Sequence, residues 1–314
     1  MHRITGLLGR DELVQQVVRE IRKGKHLVLA GPVGIGKSAV LEAALRHIEP
    51  RFDPAEPSAA GLVYLTDHQA KGQFVEMTRQ LLAMGLLPTA ALQTTKQAED
   101  ETPPEWSKLR RQVTRLGIRD LTAAIIPALD AHPGRVLIAV DDMTRLTPTQ
   151  QAFWLAVFEQ AQVVTCASER KQGLRKLWWK LKVIEVPPLA PEAARAIVQA
   201  YIARRGLLIE APALYVSHVI KQAGGNPQAI ADMLDESSKE RVVNKRQIRE
   251  MKHQAGIRYF DFTPVMIMAG MLMVGMRYVA RGLDDMGLYI LAGLGATLFL
   301  ALRLLLFRLS GKDG

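Results

Sequence analysis

The chain has 314 residues, of which 41 are Lys or Arg and 31 are Asp or Glu, so its formal net charge is +10. This length accommodates about two domains, and the positive charge suits either nucleic acid or an anionic membrane surface. The single cysteine, Cys166, excludes an internal disulfide and fits a reducing compartment, and no His and Cys residues have the spacing of metal ligands.

The first motif follows a short apolar run near the start of the chain. Residues 31–38, GPVGIGKS, match G-x-x-x-x-G-K-[ST] and lie between a strand predicted over 26–30 and a helix predicted over 38–47. In such a loop, backbone N–H groups surround a phosphate, and the following helix directs its positive end to the same point. Lys37 would contact the β- and γ-phosphates, and Ser38 would place its hydroxyl on Mg²⁺. The predicted cofactors are therefore ATP and Mg²⁺.

The nucleotide-binding residues predicted in this stretch are Gly31, Pro32, Val33, Gly34, Ile35, Gly36, Lys37, Ser38 and Ala39.

Further along the chain, apolar runs suited to buried parallel strands recur. They lie at residues 62–65, 136–140, 163–166 and 183–186, with helical stretches between them. Strands that alternate with helices predict an α/β fold, with a parallel sheet covered on both faces. Residues 93–108 contain adjacent prolines and several charges, which predict an exposed loop.

Two aspartates follow the apolar run at 136–140, as in a Walker B strand. Asp141 would help to hold Mg²⁺. Asp142 stands where many ATPases have a glutamate that polarises the attacking water, so it would either serve with a shorter side chain or make hydrolysis slow. Ser168 and Arg170 follow the next strand, where side chains at the carboxyl ends of parallel strands carry function. Either could contact the γ-phosphate, and an ordinary polar loop is the alternative.

Five segments in combination resemble the AAA+/STAND class of P-loop ATPases, with the MalT-like and origin-recognition-like branches as the nearest in pattern. The segments are LLGRDELVQQVVREI, GPVGIGKS, the Asp141-Asp142 pair, VPPLAPEAARAIV and GGNPQAI. The resemblance covers about residues 7–234. It implies a three-layer P-loop core of five strands with the P-loop strand at its centre, a small helical lid, and ATP hydrolysis. It also implies that Pro227 lies near the adenine and that Gly9 and Arg10 flank the base.

The sequence contains no clear arginine finger, and Arg175 is the best candidate, although a solvated basic surface is the alternative. The residues predicted to act in catalysis are Lys37, Asp141, Asp142, Arg170 and Arg175. The residues predicted to hold the metal are Ser38 and Asp141.

The C-terminal part of the chain differs in composition. Residues 262–280 and 286–307 are apolar segments, each near the roughly 20 residues that an apolar helix needs to span a bilayer. Both segments are apolar on all sides, which favours a transmembrane hairpin over a buried hairpin of a soluble domain. Basic residues flank the pair, so the positive-inside rule predicts a multi-pass protein of the inner cell membrane, with the ATPase domain and the C-terminal tail in the cytoplasm.

These observations predict four regions. They are an ATPase core at 1–189, a helical lid at 190–240, a basic juxtamembrane linker at 241–259, and a transmembrane hairpin with a short tail at 260–314. The linker is expected to lie on anionic lipid.

The predicted function is a membrane-anchored ATPase that acts as a nucleotide-dependent switch or assembly factor. One alternative is an energy-supplying subunit of an envelope machine for secretion, pilus assembly or DNA transfer. Another is a membrane-held ATPase that binds nucleic acid, which is less favoured because no DNA-binding module is visible. The expected partners are ATP and ADP, membrane lipid, further copies of the chain and an unidentified protein.

Overall fold

A computed structural model describes residues 7–48, 61–67, 69–92, 106–240, 242–250 and 263–297. The chain divides into two compact units, Met1–Ile257 and Arg258–Gly314. The strands of the first unit are β1 (Leu27–Ala30), β2 (Gly61–Leu65), β3 (Val136–Val140), β4 (Gln162–Ala167) and β5 (Lys182–Glu185).

The helices of the first unit are α1 (Asp11–Arg22), α2 (Lys37–Arg46), α3 (Ala70–Ala83), α4 (Trp106–Arg115), α5 (Ile118–Asp130), α6 (Pro148–Gln160), α7 (Arg175–Trp178), α8 (Pro191–Arg205), α9 (Pro212–Ala223), α10 (Pro227–Ser237) and α11 (Lys245–Glu250).

The five strands form one parallel sheet in the order β2-β3-β4-β1-β5. The predicted parallel sheet is confirmed, and each predicted strand lies within one or two residues of an observed one. The central position implied for the P-loop strand is wrong, because β4 is the middle strand and β1 lies next to the edge strand β5. Strands in the interior of a parallel sheet are apolar on both faces, so an apolar run does not reveal which interior place a strand takes.

Helices cover both faces of the sheet. On one face, α1 and α2 pack on alternate strand residues such as Leu27, Leu29 and Ala139. On the other face, the helices from α3 to α7 pack on the residues that point the opposite way, such as Val28 and Ile138. The first unit therefore has the three-layer α/β architecture of P-loop NTPases.

Helices α8 to α11, which include the region predicted to be the lid and keep that name here, surround a hydrophobic core of their own, in which Tyr215 and Val219 are fully buried. Val243 and the fully buried Ile248 also belong to this core. Both residues lie in the stretch that the sequence assigned to a basic linker, so the lid extends past residue 240. The exposed side of α11 is rich in basic residues, so the composition of this segment does not indicate that the helix also packs against a hydrophobic core.

The loop predicted over residues 93–108 differs from the structure at its end. Helix α4 begins at Trp106, and its apolar residues Leu109 and Val113 are buried against the core. Residues 93–105 lie outside the described part of the chain. The apolar residues of this segment have the spacing of one face of a helix, and their burial stabilises a helix despite the charges on which the loop prediction was based.

The second unit contains helix α12 (Thr263–Gly282) and a further helix that is described over 286–297. Between the two helices, Asp284 has a positive φ of 54°, and Oδ1 of Asp285 accepts a hydrogen bond from the Leu288 N–H at 3.0 Å. The Arg277 guanidinium donates to the Tyr289 hydroxyl at 2.9 Å, so the two helices meet beside the turn.

Over the residues that the structure describes, no helix is both long enough and apolar enough to cross a membrane. The predicted transmembrane hairpin is therefore not supported. Arg277 and Arg281 both lie in the last two turns of α12, where they reduce the apolar length of this helix. The end of the second predicted segment, residues 298–307, lies outside the described residues.

Candidate functional site

Residues 31–36 form the loop between β1 and α2 at the carboxyl edge of the sheet, and Lys37 and Ser38 are the first residues of α2. Gly34 and Gly36 have φ values of 79° and 95°, in the left-handed region that glycine adopts without a steric penalty. Gly36 is also the N-cap residue of α2, which begins at Lys37. The first N–H groups of a helix have no partner within that helix, so this turn directs unpaired donors of α2 toward the loop.

The carbonyl groups of this loop are bound from several sides. The Lys37 ammonium donates to the carbonyls of Gly31 at 2.8 Å and Pro32 at 2.9 Å. The buried Arg10, from the turn before α1, donates through Nη2 to the Ile35 carbonyl at 3.2 Å. Burial lowers the pKa of Arg10. In this structure Arg10 therefore supports the loop itself.

The lid supplies the remaining contacts. Asn226, immediately before α10, donates through Nδ2 to the Val33 carbonyl at 2.9 Å. The backbone N–H of Gln228 donates to the Gly34 carbonyl at 3.2 Å. Together with Lys37 and Arg10, these donors bind five successive carbonyls, those of residues 31–35.

This arrangement suits an anion. With the carbonyls of residues 31–35 already bound by donors, the loop offers a ligand backbone N–H groups and the positive end of α2. Negative phosphate oxygens are the ligand that such a set of donors accommodates.

Asp141 lies directly after β3, two strands away from β1. Its backbone N–H donates to the Leu65 carbonyl at 3.2 Å, which fixes the main chain. Its carboxylate oxygen Oδ1 is buried and has no hydrogen-bond partner among the described residues. Buried polar atoms in proteins are normally paired, so this oxygen is suited to bind a cation or a hydrogen-bond donor.

Lys37 and the two aspartates share one electrostatic environment. Burial lowers the pKa of Lys37, whereas the negative charges of Asp142 and Asp141 act to raise it. Burial, with a further contribution from Asp141, raises the pKa of Cys166 on β4, so this thiol stays neutral between the charged groups.

Asp142 is held by its neighbours in sequence. Its Oδ1 accepts a hydrogen bond from the Thr144 N–H at 2.8 Å and a second, short one from the Thr144 hydroxyl. The same hydroxyl oxygen accepts a hydrogen bond from the Ser168 N–H, after β4, at 3.2 Å. Thr144 thereby connects the carboxyl ends of two neighbouring strands and fixes the orientation of Asp142, whose other oxygen takes no part in these contacts.

A cleft of about 550 Å³ adjoins these residues. It is bounded by Val33 of the P-loop, Gln73 of α3, Asp142 and Thr144 after β3, and Ser168 after β4. Because the cleft lies between the P-loop and Asp142, a reactive group at the end of a bound phosphate chain would lie near this carboxylate.

The two arginines predicted to act in catalysis have other contacts. Arg170 forms an exposed ion pair with Glu185, at the end of β5, with an N–O distance of 3.4 Å. The Arg175 guanidinium lies over the exposed ring of Trp179, 4.6 Å from its centroid. The structure does not bring Arg175 to the P-loop through any contact among the described residues. The catalytic roles of both arginines stay predictions.

The remaining predicted residues surround the loop. Gly9 has a φ of 74°, and a Cβ placed on it would lie 2.9 Å from the Ala193 Cβ in α8. Pro227 faces the P-loop, since its Cγ is 3.9 Å from where a Cβ on Gly36 would lie. Ala39 is exposed and Ser38 is partly exposed on the first turn of α2. The contacts predicted for these residues with nucleotide stay predictions.

The metal prediction is compatible with these positions. In the described part of the chain, no group of three or more His, Cys, Asp or Glu side chains could hold a metal ion. Mg²⁺ is commonly held by one or two protein oxygens together with substrate phosphates, and the buried Oδ1 of Asp141 and the Ser38 hydroxyl are oxygens of the required kind.

Two residues of this site, Thr144 and Asn226, were given no role from the sequence, although Asn226 belongs to the GGNPQAI segment. Thr144 stands two positions after Asp142, the spacing at which an aspartate accepts hydrogen bonds from the following backbone. Asn226 precedes a helix that starts with proline, a position that favours asparagine as a helix cap. The sequence signals the local contact in each case, but not the contact with Ser168 or with the P-loop.

A family profile described as an AAA ATPase domain matches residues 6–165. A search of curated proteins gives no match. Among solved structures, the chain is similar to the Walker-type ATPase PABY2304 of Pyrococcus abyssi, with 12% identity over 89% of this chain and 77% of that chain and a TM-score of 0.49. It is also similar to a point variant of RuvB from Thermotoga maritima, with 12% identity over 88% of this chain and 80% of that chain and a TM-score of 0.43.

The profile match spans half of the chain and contains the P-loop, β3 and both aspartates after it. It ends before the lid and before the second unit. On this match, the protein belongs to the AAA ATPase family.

Proposed function

We propose that the chain binds ATP with Mg²⁺ at the P-loop and hydrolyses it. The observation that carries this proposal is the buried Oδ1 of Asp141, which has no hydrogen-bond partner in the described part of the chain and lies at the carboxyl edge of the sheet that also presents the P-loop. A carboxylate oxygen left without a donor beside a phosphate-binding loop is suited to a phosphate-bound cation.

Each residue of the site has a role in this proposal. Backbone N–H groups of the P-loop and of the first turn of α2 bind the phosphates together with the Lys37 ammonium, and Ser38 and Asp141 hold Mg²⁺. The bound cation supplies neutralisation of phosphate charge. Asp142, oriented through its Oδ1 by Thr144, uses its other oxygen to position the attacking water.

A change of Asp141 tests the metal-binding part of the proposal. The parent chain should bind ATP more tightly with Mg²⁺ than without it. In Asp141→Asn, Mg²⁺ should increase the affinity for ATP much less, because the amide carries no charge. Titration calorimetry with and without Mg²⁺ measures the difference, and Asp130→Asn, an exposed residue at the end of α5, is the matched control. Equal dependence on Mg²⁺ in the parent chain and Asp141→Asn would refute the assignment.

We further propose that the protein acts as a nucleotide-dependent switch at the cytoplasmic face of the inner membrane. Support comes from the second unit, where large apolar side chains are exposed, including Met271 at 71%, Leu272 at 67% and Ile290 at 64%. An exposed apolar surface of this kind is typical of a site that contacts a membrane or another protein. The basic residues that flank this unit suit anionic lipid.

Vesicle flotation of the full chain tests the membrane proposal. Leu272→Arg should weaken binding to lipid vesicles, whereas Leu208→Arg should not, because Leu208 is exposed to the same degree (66%) but lies in the lid. Equal flotation of both variants and the parent would contradict the proposal, as would a parent chain that does not float.

Assembly is the last element of the proposal. A γ-phosphate at the P-loop of one copy would attract an arginine of a neighbouring copy, and Arg170, which among the described residues forms an exposed ion pair with Glu185, is the better placed candidate of the two. ATP should therefore raise the population of homo-oligomers relative to ADP. Mass measurement with ATP, with ADP and without nucleotide tests this, and a monomer in all three conditions would refute it.

A further inference from the structure

The side chain of Asn226 joins two parts of the molecule that are far apart in sequence. Asn226 lies 193 positions from Val33 and is only 9% exposed. It ends the turn that leads into α10, and its side chain reaches the P-loop directly.

The orientation of this amide is determined by its own helix. Its Oδ1 accepts hydrogen bonds from the backbone N–H groups of Gln228 at 3.0 Å and Ala229 at 3.3 Å. Only an oxygen can accept from these donors, so the amide nitrogen must point the other way. That nitrogen donates to the Val33 carbonyl at 2.9 Å.

The same turn is tightly packed against the loop. A Cβ on Gly34 would lie 2.7 Å from the Gln228 Cβ and 2.8 Å from the Asn226 Oδ1. On its other side, Gly225 accepts a hydrogen bond from the Leu189 N–H at 2.8 Å. The lid turn is therefore held between the P-loop and the segment that leads into the lid, and it cannot shift without breaking one of these contacts.

We propose that Asn226 is a positioning residue of the nucleotide site. Its amide holds the Val33 carbonyl and thereby keeps the P-loop in its phosphate-binding conformation only while the lid is docked. This inference rests on the proposed function, because it assigns to the lid a part in nucleotide affinity at the same site. Asn226 acts through the loop and not on the reacting atoms.

Two substitutions separate the contact with the P-loop from the helix cap. Serine at a cap position still accepts a hydrogen bond from the helix but is too short and lacks the amide to reach Val33, so Asn226→Ser removes only the contact with the loop. Asn226→Ala removes both. Asn244→Ser, at the residue before α11, is the matched control because it makes the same change beside a helix away from the P-loop.

Steady-state ATP hydrolysis, ADP titration and thermal unfolding of the full chain give the readouts. Asn226→Ser should raise KM for ATP and Kd for ADP by roughly fivefold, the change expected for one hydrogen bond, with kcat and the unfolding temperature close to those of the parent chain. Asn226→Ala should show the same loss of affinity and a lower unfolding temperature. Asn244→Ser should leave KM and Kd unchanged.

A parent-like KM and Kd in Asn226→Ser, with destabilisation confined to Asn226→Ala, would overturn the inference and leave Asn226 as a helix cap alone. A fall of kcat with unchanged KM in Asn226→Ser would also overturn it, since that result assigns the residue to the chemical step. A parent chain that binds neither ATP nor ADP would refute the proposed function and, with it, this inference.

Discussion

The P-loop and the end of β3 lie at the same edge of the sheet but are held in different ways. Three of the P-loop carbonyls are bound by groups outside the loop, namely Arg10, Asn226 and the backbone of α10, and two are bound by Lys37. Asp142, by contrast, is held by Thr144, which stands two residues further along the chain. One half of the site depends on tertiary contacts, and the other depends mainly on local ones.

This difference indicates that nucleotide affinity and turnover are controlled by different residues of the site. Changes at the P-loop or its supports should alter nucleotide affinity, because they act on the bound ground state. Changes at Asp142 or Thr144 should alter turnover, because they act on the chemical step. The predictions below test this separation, starting with the largest expected effect.

Lys37→Ala should remove most nucleotide binding. The ammonium is the only charged side chain within the loop, and charge-assisted hydrogen bonds contribute about 1.5–3 kcal/mol each, so a loss of roughly 100-fold or more in affinity is expected. Titration calorimetry with ATP and ADP measures this, with Lys71→Ala on α3 as the surface control. Affinity equal to that of the parent chain would remove Lys37 from the site.

Asp142→Asn should reduce kcat by about 100-fold or more, the usual scale for a group that assists proton transfer, while ATP affinity stays near that of the parent. The amide oxygen can still accept from Thr144, so the local turn is kept and only the charge is lost. Phosphate-release kinetics give kcat and KM together. A large rise in KM would instead assign Asp142 to binding and would break the proposed separation.

Thr144→Val should lower kcat by roughly tenfold, which corresponds to about 1.4 kcal/mol, because Asp142 loses a donor that orients it. The Ser168 N–H also loses its acceptor, which should destabilise the fold by about 1–3 kcal/mol. Thr144→Ser keeps the hydroxyl and should restore both properties. If both variants hydrolyse ATP like the parent chain, Asp142 does not depend on this contact.

Glu20 provides a test away from the site, at the opposite edge of the sheet. Hydrogen bonds from Lys182 and Lys23 lower the pKa of Glu20 to about 2, with ion-pair distances of 2.8 Å and 3.0 Å. A glutamate in an unfolded chain has a pKa of about 4.3. Because the folded-state pKa is the lower one, this stabilisation is fully present above about pH 4.3 and is lost as the pH falls toward 2.

Thermal unfolding between pH 6 and pH 2.5 measures this effect. The unfolding temperature of the parent chain should fall with acid more steeply than that of Glu20→Gln, whereas ATP affinity at neutral pH should be the same in both. Parallel acid dependence in the two proteins would show that the Glu20 ion pairs contribute nothing measurable. Reduced ATP affinity in Glu20→Gln would contradict the view that only the P-loop contacts control binding.

Several features of this protein could be predicted from short segments. The glycine spacing of residues 31–38 demands a loop with left-handed backbone, and Gly34 and Gly36 have it. The apolar runs predicted five parallel strands because strands buried on both faces have no polar alternation. The position of Asp141 and Asp142 after such a run placed them at the carboxyl edge of the sheet. In each case the determining interactions lie within about 20 residues of chain.

Other features were decided only by the tertiary structure. The apolar pattern of β1 is the same for any interior strand, so its place beside β5 depends on packing with strands more than a hundred residues away. The basic composition of α11 suggested an exposed linker, so the burial of Ile248 could not be predicted from it. The contact of Asn226 with Val33 requires the lid to dock on the P-loop. Local sequence fixes backbone conformation through sterics and periodicity, whereas these contacts depend on the complementarity of distant surfaces that no single segment contains.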